Sequence, residues 1–392
     1  MVLQKCGILQ QVTEHLETAR KSFESVPVAA FSKRRMLIKK NLHLFNFQHL
    51  SGRCVTMTNV MKRFLWFFLQ FVLIAGIFGF LFWNAATATD EDGKNIFNLL
   101  YEQPKRWHFL AAAFCAQLFA VSITFIRWRW LLRTLELECS YREVFRFGSL
   151  GFMLNLAPLG IVGGDAVKAV LIAQRNPDFK AEAVASVFID RFVGLFVLFI
   201  CGAIFVCWTG FAFRPEILAQ TFTNLVFAFA AASVVGTCIV FLPVFAKGHF
   251  EQLIEKIPLG GKLLGKLIRA LLLYRNHKRC LLQCCFITIF VHTSFGLSIY
   301  WIAMGLFHSV PDAVNHIMLH CVANLTAMIP LAAGPYELVL EQLYQLSAMS
   351  IGMGLIVALT YRLTMISAAV VGIIYYYLVN VDVVNECREG AD

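Results

Sequence analysis

Two arginines, Arg191 and Arg362, stand several residues inside long apolar runs. A guanidinium at the centre of a membrane helix costs roughly 2.5 to 3.5 kcal/mol even on the mild insertion scale, so something must offset it. One remedy is a carboxylate. Asp165, Asp190 and Glu337 all lie in apolar surroundings, and pairing with them would fasten the two halves of the chain together without any ligand. Adjacent positions diverge by about 100° on a helix, so Asp190 is poorly placed to neutralise Arg191 and is expected to face elsewhere. The other remedy is an anion from outside the chain. The planar fork of an arginine beside the N-terminus of a broken helix binds phosphate, and this chemistry, recognition without bond-making, is the leading reading.

The elements that must hold these residues are read from composition. Of 392 residues, 59% are apolar and 15% charged, against roughly a quarter charged in an ordinary soluble domain, which excludes a soluble globular protein. Six apolar runs are long enough to cross a hydrocarbon core of about 30 Å: 64–83, 109–126, 183–208, 225–245, 281–306 and 352–379. The 37 Phe are expected to face lipid for the most part.

Two further apolar stretches are interrupted. Residues 144–174 contain Pro158, Gly160, Gly163 and Gly164, and residues 313–346 contain Pro330, Gly334 and Pro335, so each is expected to form two short helices. Backbone N–H groups freed at such a break cannot face lipid and must face protein, water or a ligand. Asp165 is expected to cap a helix beginning near Ala166, and Pro335 suits the first position of another, with Glu337 two residues later.

If both interrupted stretches re-emerge on the side they entered, 28 of the 34 Lys and Arg fall in cytoplasmic segments, four fall outside, and Arg191 and Arg362 remain within spans. That asymmetry places both termini in the cytoplasm. The units span–hairpin–span then run in opposite directions, and their landmarks recur: Pro158 to Arg191 is 33 positions and Pro330 to Arg362 is 32, while Asp165 to Arg191 is 26 and Glu337 to Arg362 is 25. An inverted repeat with discontinuous helices is the architecture in which transporters hold substrate near the midplane. The fold class expected is therefore all-α: a polytopic membrane protein of six full spans plus two broken re-entrant helical hairpins arranged as an inverted repeat.

Other signals point to structure. Cys201, Cys207, Cys280, Cys284 and Cys285 lie in or at the edges of apolar runs and read as small apolar residues. His316 and His320 are four apart, but no third ligand is near in sequence, so no metal is expected; His292 and Asn324 read as interhelical hydrogen-bonding groups. No nucleotide-binding glycine loop is present, no cofactor is expected, and the formal charge of +10 is assigned to anionic lipid rather than nucleic acid. Residues 253–271 carry leucines on one helical face and Lys262, Lys266 and Arg269 on the other, the pattern of an interfacial helix. Residues 1–60 read as a basic, poorly ordered tail, with Met57 a natural alternative start, 61–381 as the membrane domain and 382–392 as a cytoplasmic tail.

Four segments carry a resemblance: NLAPLGIVGGDAVK at 155–168, VFIDRFVGL at 187–195, PLAAGPYE at 330–337 and ALTYRL at 358–363. Together they resemble the flippase-like membrane region of lysylphosphatidylglycerol synthases and its stand-alone relatives, over about residues 107–379. Lys168 stands where the family usually has arginine, and Gly334–Pro335 where a glycine-richer turn is usual. The synthases carry a soluble aminoacyl-transferase domain after this region; none follows here, so lysyl transfer is not expected.

The resemblance and the residues together imply an inner-membrane protein, not an enzyme, that binds or moves an anionic phospholipid or a polyprenyl-phosphate-linked lipid. Alternatives are a non-catalytic partner that presents such a lipid to a glycosyltransferase, and a lipid-modifying membrane enzyme using Asp190 or Glu337 as acid or base. The substrate-binding set expected is Arg191, Arg362, Asp165, Glu337, Asp190, Gly163, Gly164, Lys168, Asn155, Pro158, Pro330 and Gly334.

Overall fold

The computed structural model describes residues 57–89, 95–156, 160–241, 272–329, 331 and 333–389. The basic tail up to residue 56, the interfacial helix expected at 253–271, Pro158 and Pro330 lie outside the described residues. The chain divides into two units, Met1–Phe68 and Leu69–Asp392, and the second carries nearly all of the described elements.

Among the described residues there is no strand. In hydrocarbon every backbone donor and acceptor must be satisfied within its own segment, and apolar runs of this length meet that demand as helices. In chain order they are α1 (Met57–Thr87), α2 (Ile96–Glu102), α3 (Trp107–Thr134), α4 (Tyr141–Leu156), α5 (Gly160–Arg175), α6 (Lys180–Trp208), α7 (Ile217–Phe241), α8 (Lys278–Leu306), α9 (Ala313–Ala323), α10 (Pro335–Leu346) and α11 (Met353–Glu389). Single 3-10 turns at Phe211–Phe213 and Asn324–Met328 follow α6 and α9. Six helices are long and apolar enough to cross a membrane: α1, α3, α6, α7, α8 and α11. They are the six spans expected.

Each interrupted stretch is two short helices, as its prolines and glycines required. At 1.5 Å per residue α4 and α5 are about 24 Å long, α9 about 16 Å and α10 about 18 Å. None crosses a core of about 30 Å alone. The first break is narrower than expected, because α5 resumes at Gly160. Gly163, Gly164 and Asp165 therefore lie inside α5, and Asp165 is not a cap.

Close packing explains why glycine occupies that position. A Cβ on Gly164 would lie 2.0 Å from the Gly151 carbonyl oxygen and 2.3 Å from Asn155 Oδ1, so the arms α4 and α5 meet backbone to backbone. The second hairpin uses glycine differently. Gly334 has φ +103°, a conformation that a Cβ disfavours, and Pro335 takes the first helical position as expected. The Gly334 N–H donates to Glu337 Oε2 at 2.7 Å, closing the turn onto its own helix.

A second difference concerns α3, which continues to Thr134 and keeps Arg127 within the helix, where a cytoplasmic loop was expected. The charge does not end the segment because it is neutralised internally by Asp190.

The packing follows a doubled pattern. Spans α3 and α8 pack extensively against each other. The first arm of one hairpin, α4, packs on α11, and the first arm of the other, α9, packs on α6. The second arms, α5 and α10, pack on the spans that follow them, α6 and α11. The largest buried cluster gathers Met318, Leu319, Val322, Leu340, Leu343 and Tyr344 of the second hairpin with Ile299, Ile302 and Ala303 of α8 and Leu355 and Val357 of α11. Outward faces carry Phe71, Trp83, Phe119, Phe286, Phe290 and Ile374, consistent with aromatic side chains meeting lipid.

Candidate anion-binding site

Asp165, in the second turn of α5, and Arg191, eleven residues into α6, form a two-pronged pair. Arg191 Nη2 donates to Asp165 Oδ1 at 2.8 Å and Nε donates to Oδ2. The fork geometry makes such a pair both strong and directional. It leaves Nη1 outside the pair, and the arginine side chain is still 41% exposed.

One turn along α5, Lys168 is buried with its ammonium 3.9 Å from Asp165 Oδ1. The same group lies 5.4 Å from the ring centre of Trp128 and 6.0 Å from that of Phe125, within cation–π range. Its stem crosses the narrow hairpin, since a Cβ on Gly151 would meet Lys168 Cγ and Cε at 2.7 Å. Asn155 closes the hairpin beside Gly164, and its buried Oδ1 has no hydrogen-bond partner.

Asp190 faces away from Arg191, as the helical angle required, and meets Arg127 of α3. Arg127 Nε donates to Asp190 Oδ1 at 2.8 Å, Nη2 to the Asp190 carbonyl at 3.0 Å and Nη1 to Thr288 Oγ1 at 2.9 Å. Gly194 lies beside this guanidinium, where a Cβ would be in ordinary contact at 3.6 Å from Nη2. Arg127 is the principal residue that sequence reasoning missed. The signal existed, because a carboxylate inside a span that turns away from Arg191 demands another cation. Lys168 feels the charges of Arg191, Asp190, Asp165 and Arg127 together, so the five form one electrostatic group.

The second hairpin repeats the motif with fewer charges. Arg362, nine residues into α11, donates from Nε to Glu337 Oε1 at 2.5 Å. Glu337 has no exposed surface, whereas the Arg362 side chain is 27% exposed. Tyr336 and Tyr361, the residues preceding these two, stack with ring centres 5.7 Å apart. A further buried carboxylate, Glu341, was not singled out. It accepts from the N–H groups of Gly352 at 2.6 Å and Leu355 at 2.8 Å, so it caps the start of α11.

Both arginine–acid pairs join a hairpin arm to the span directly after it. Neither pair links one hairpin to the other, which is the role an ion pair without a ligand was expected to play. At 1.5 Å per residue Arg191 lies about 16 Å from the start of α6 and Arg362 about 14 Å from the start of α11. Of the residues expected at the site, Asp165, Lys168, Arg191, Gly164 and Asn155 come together at the first hairpin, and Gly334, Glu337 and Arg362 at the second. Asp190 adjoins the first group through Arg127, and Gly163 is half-buried in α5.

Of the other polar candidates, His316 and His292 bond to neighbouring groups. His316 donates from Nδ1 to the Asp312 carbonyl at 2.9 Å and accepts from the Tyr344 hydroxyl at 2.8 Å. His292 bonds across helices to the Gly194 carbonyl at 3.0 Å, the role expected of it. Cys201, Cys207, Cys280, Cys284 and Cys285 are free thiols.

Such helices define a multi-pass α-helical membrane protein with charged pairs held within its spans. The family model described as the lysylphosphatidylglycerol synthase TM region matches residues 67–372, and the chain belongs to that family. The match reaches back into α1, beyond the segments that carried the resemblance. No curated protein and no solved structure matches the chain.

Proposed function

We propose that this protein binds the phosphate-bearing headgroup of an anionic lipid, a phospholipid or a polyprenyl-phosphate-linked lipid, and moves it between leaflets. The observation that carries the reading is the charge of the first site. Arg127, Lys168 and Arg191 face two carboxylates, Asp165 and Asp190, so with all five groups ionised one positive charge is left over. An excess buried cation is costly, and a phosphodiester monoanion balances it.

Recognition would proceed by exchange of anions. Arg191 presents Nη1 beyond its pair with Asp165, and a phosphate oxygen there gains a charge-assisted bond before the carboxylate lets go. Arg362 is held by Glu337 in a comparable pair, and exchange of that carboxylate for a phosphate would follow the same course. No covalent bond is made or broken, so the role is transport rather than catalysis.

The doubled packing supports an inverted repeat, with both hairpins re-entrant and the units related by an axis in the membrane plane. Arg191 and Arg362 then lie at similar depths from opposite faces, one receiving the headgroup and the other releasing it. The excess of Lys and Arg in the segments that become cytoplasmic supports both termini lying inside, in a cell inner membrane.

The test is transfer of a fluorescent phosphatidylglycerol between leaflets of reconstituted vesicles, with mass spectrometry of lipids that co-purify. Arg191→Ala plus Arg362→Ala is expected to abolish transfer and release the bound anionic lipid. Transfer unchanged in that variant would refute the assignment.

A further inference from the structure

The middle of the membrane domain holds polar groups that the anion reading does not use. His292 lies at the midpoint of α8, 14 residues from each end, or about 21 Å. Its Nε2–H donates to the Gly194 carbonyl at 3.0 Å, while its buried Nδ1 has no partner. His320 of α9 is 1% exposed, and neither of its ring nitrogens has a hydrogen-bond partner. The two imidazole rings have their centres 6.1 Å apart.

The row continues in both directions. Beyond His320 comes Tyr361 of α11, ring centre 6.3 Å away, and Tyr361 stacks on Tyr336 of α10, whose buried hydroxyl is also unpartnered. These tyrosines directly precede Arg362 and Glu337. At the other end, Gly194, whose carbonyl holds His292, is a residue whose Cβ position lies 3.6 Å from the Arg127 guanidinium, which is paired with Asp190. Titratable groups thus run from one ion-pair site to the other through the centre.

Packing does not account for this row. An imidazole buried with unsatisfied nitrogens gives up hydration for nothing in return, and such groups in membrane proteins mark ion and proton paths. His316, one turn before His320 on the same helix, shows the alternative: both of its nitrogens are engaged, and it is structural. Histidine is also the side chain whose charge changes nearest neutral pH.

We infer that His292 and His320 form a proton relay between the two arginine–carboxylate sites, and that protons passing along it drive the lipid movement proposed above, on which this inference rests. The groups facing His292 are Arg127, bound to Asp190 and Thr288, and His320. Those facing His320 are His292, Phe295 and Tyr361, with Tyr336, Glu337 and Arg362 behind. A proton from the aqueous side adds to one ring nitrogen, makes that ring cationic, and leaves for the next acceptor. Only N–H and O–H bonds form and break. A proton that reaches Glu337 neutralises the carboxylate holding Arg362 and turns that guanidinium toward phosphate, which is how proton movement and headgroup exchange become one process.

The experiment uses the full chain in phosphatidylcholine vesicles doped with fluorescent phosphatidylglycerol, a pH dye inside and an imposed pH gradient. Wild-type transfer is expected to accelerate several-fold with the gradient and to carry a lipid-dependent proton flux. His292→Gln plus His320→Gln should lose both effects while keeping the wild-type thermal midpoint. A measurable wild-type transfer rate that is indifferent to the gradient would overturn the relay whether or not the variant folds, as would a double variant that responds like wild type. If wild type moves no lipid under any gradient, the lipid reading fails. The relay then stands on the dye alone: proton flux in wild type but not in the double variant upholds it, and equal flux in both overturns it.

Discussion

Replacing Asp190 by leucine while Arg127 remains would strand a guanidinium that is 5% exposed. It would keep Thr288 Oγ1 and one backbone carbonyl as acceptors but no counter-charge. Breaking a buried pair from one side costs about 3 to 5 kcal/mol, and Arg127→Met, which strands the acid, should cost a similar amount. Removing both charges with apolar side chains of similar volume is often neutral or stabilising. The double variant Arg127→Met plus Asp190→Leu is therefore expected within about 1 kcal/mol of wild type, which makes the coupling between the sites several kcal/mol. Unfolding free energies of the purified protein in mixed detergent micelles supply the four corners of the cycle. Additive losses would refute the partnership. The same double variant removes one cation and one carboxylate together, so the first site keeps its surplus positive charge and lipid transfer should persist. A stably folded double variant that had lost transfer would instead place Asp190 in contact with the substrate.

Three further outcomes follow from the geometry. Lys168→Met removes the surplus charge at the cost of one charge-assisted contact, so affinity for phosphatidylglycerol in nanodiscs should fall by roughly ten- to a hundredfold; unchanged affinity would sink the charge argument. Gly164→Ala puts a methyl 2.0 Å from the Gly151 carbonyl oxygen and should destabilise by at least about 1 to 3 kcal/mol through overpacking, against which an unshifted thermal midpoint would count. Cys139, in the loop between α3 and α4, has its thiol pushed up to about 12 by burial and then by Glu143. A thiol raised in the folded state stays protonated there, so its stabilising contribution is intact below the ordinary value of 9.0 and is lost as pH rises from 9.0 toward about 12. At pH 8 it should resist iodoacetamide in the folded protein and react once unfolded, as peptide mass spectrometry would show; prompt labelling of the folded form contradicts that.

The six spans were legible in the sequence because hydropathy over 20 residues is a local property, and the bilayer demands helix wherever it is met. The turn at Gly334–Pro335 and its closure by Glu337 were legible for the same reason, since donor and acceptor are three residues apart. The opposed directions of Asp190 and Arg191 followed from helix geometry alone. What tertiary structure decided lies across large separations. Arg127 and Asp190 are 63 positions apart, and nothing near either one names the other. Gly164 looked like a helix break and is a contact surface, because its need for a missing Cβ comes from α4. His316 and His320 are four residues apart in the same helix, yet one is saturated by Asp312 and Tyr344 and the other by nothing. Residue type and spacing set which segments enter the membrane and which charges must be answered there; only the packing of distant helices determines which group answers each.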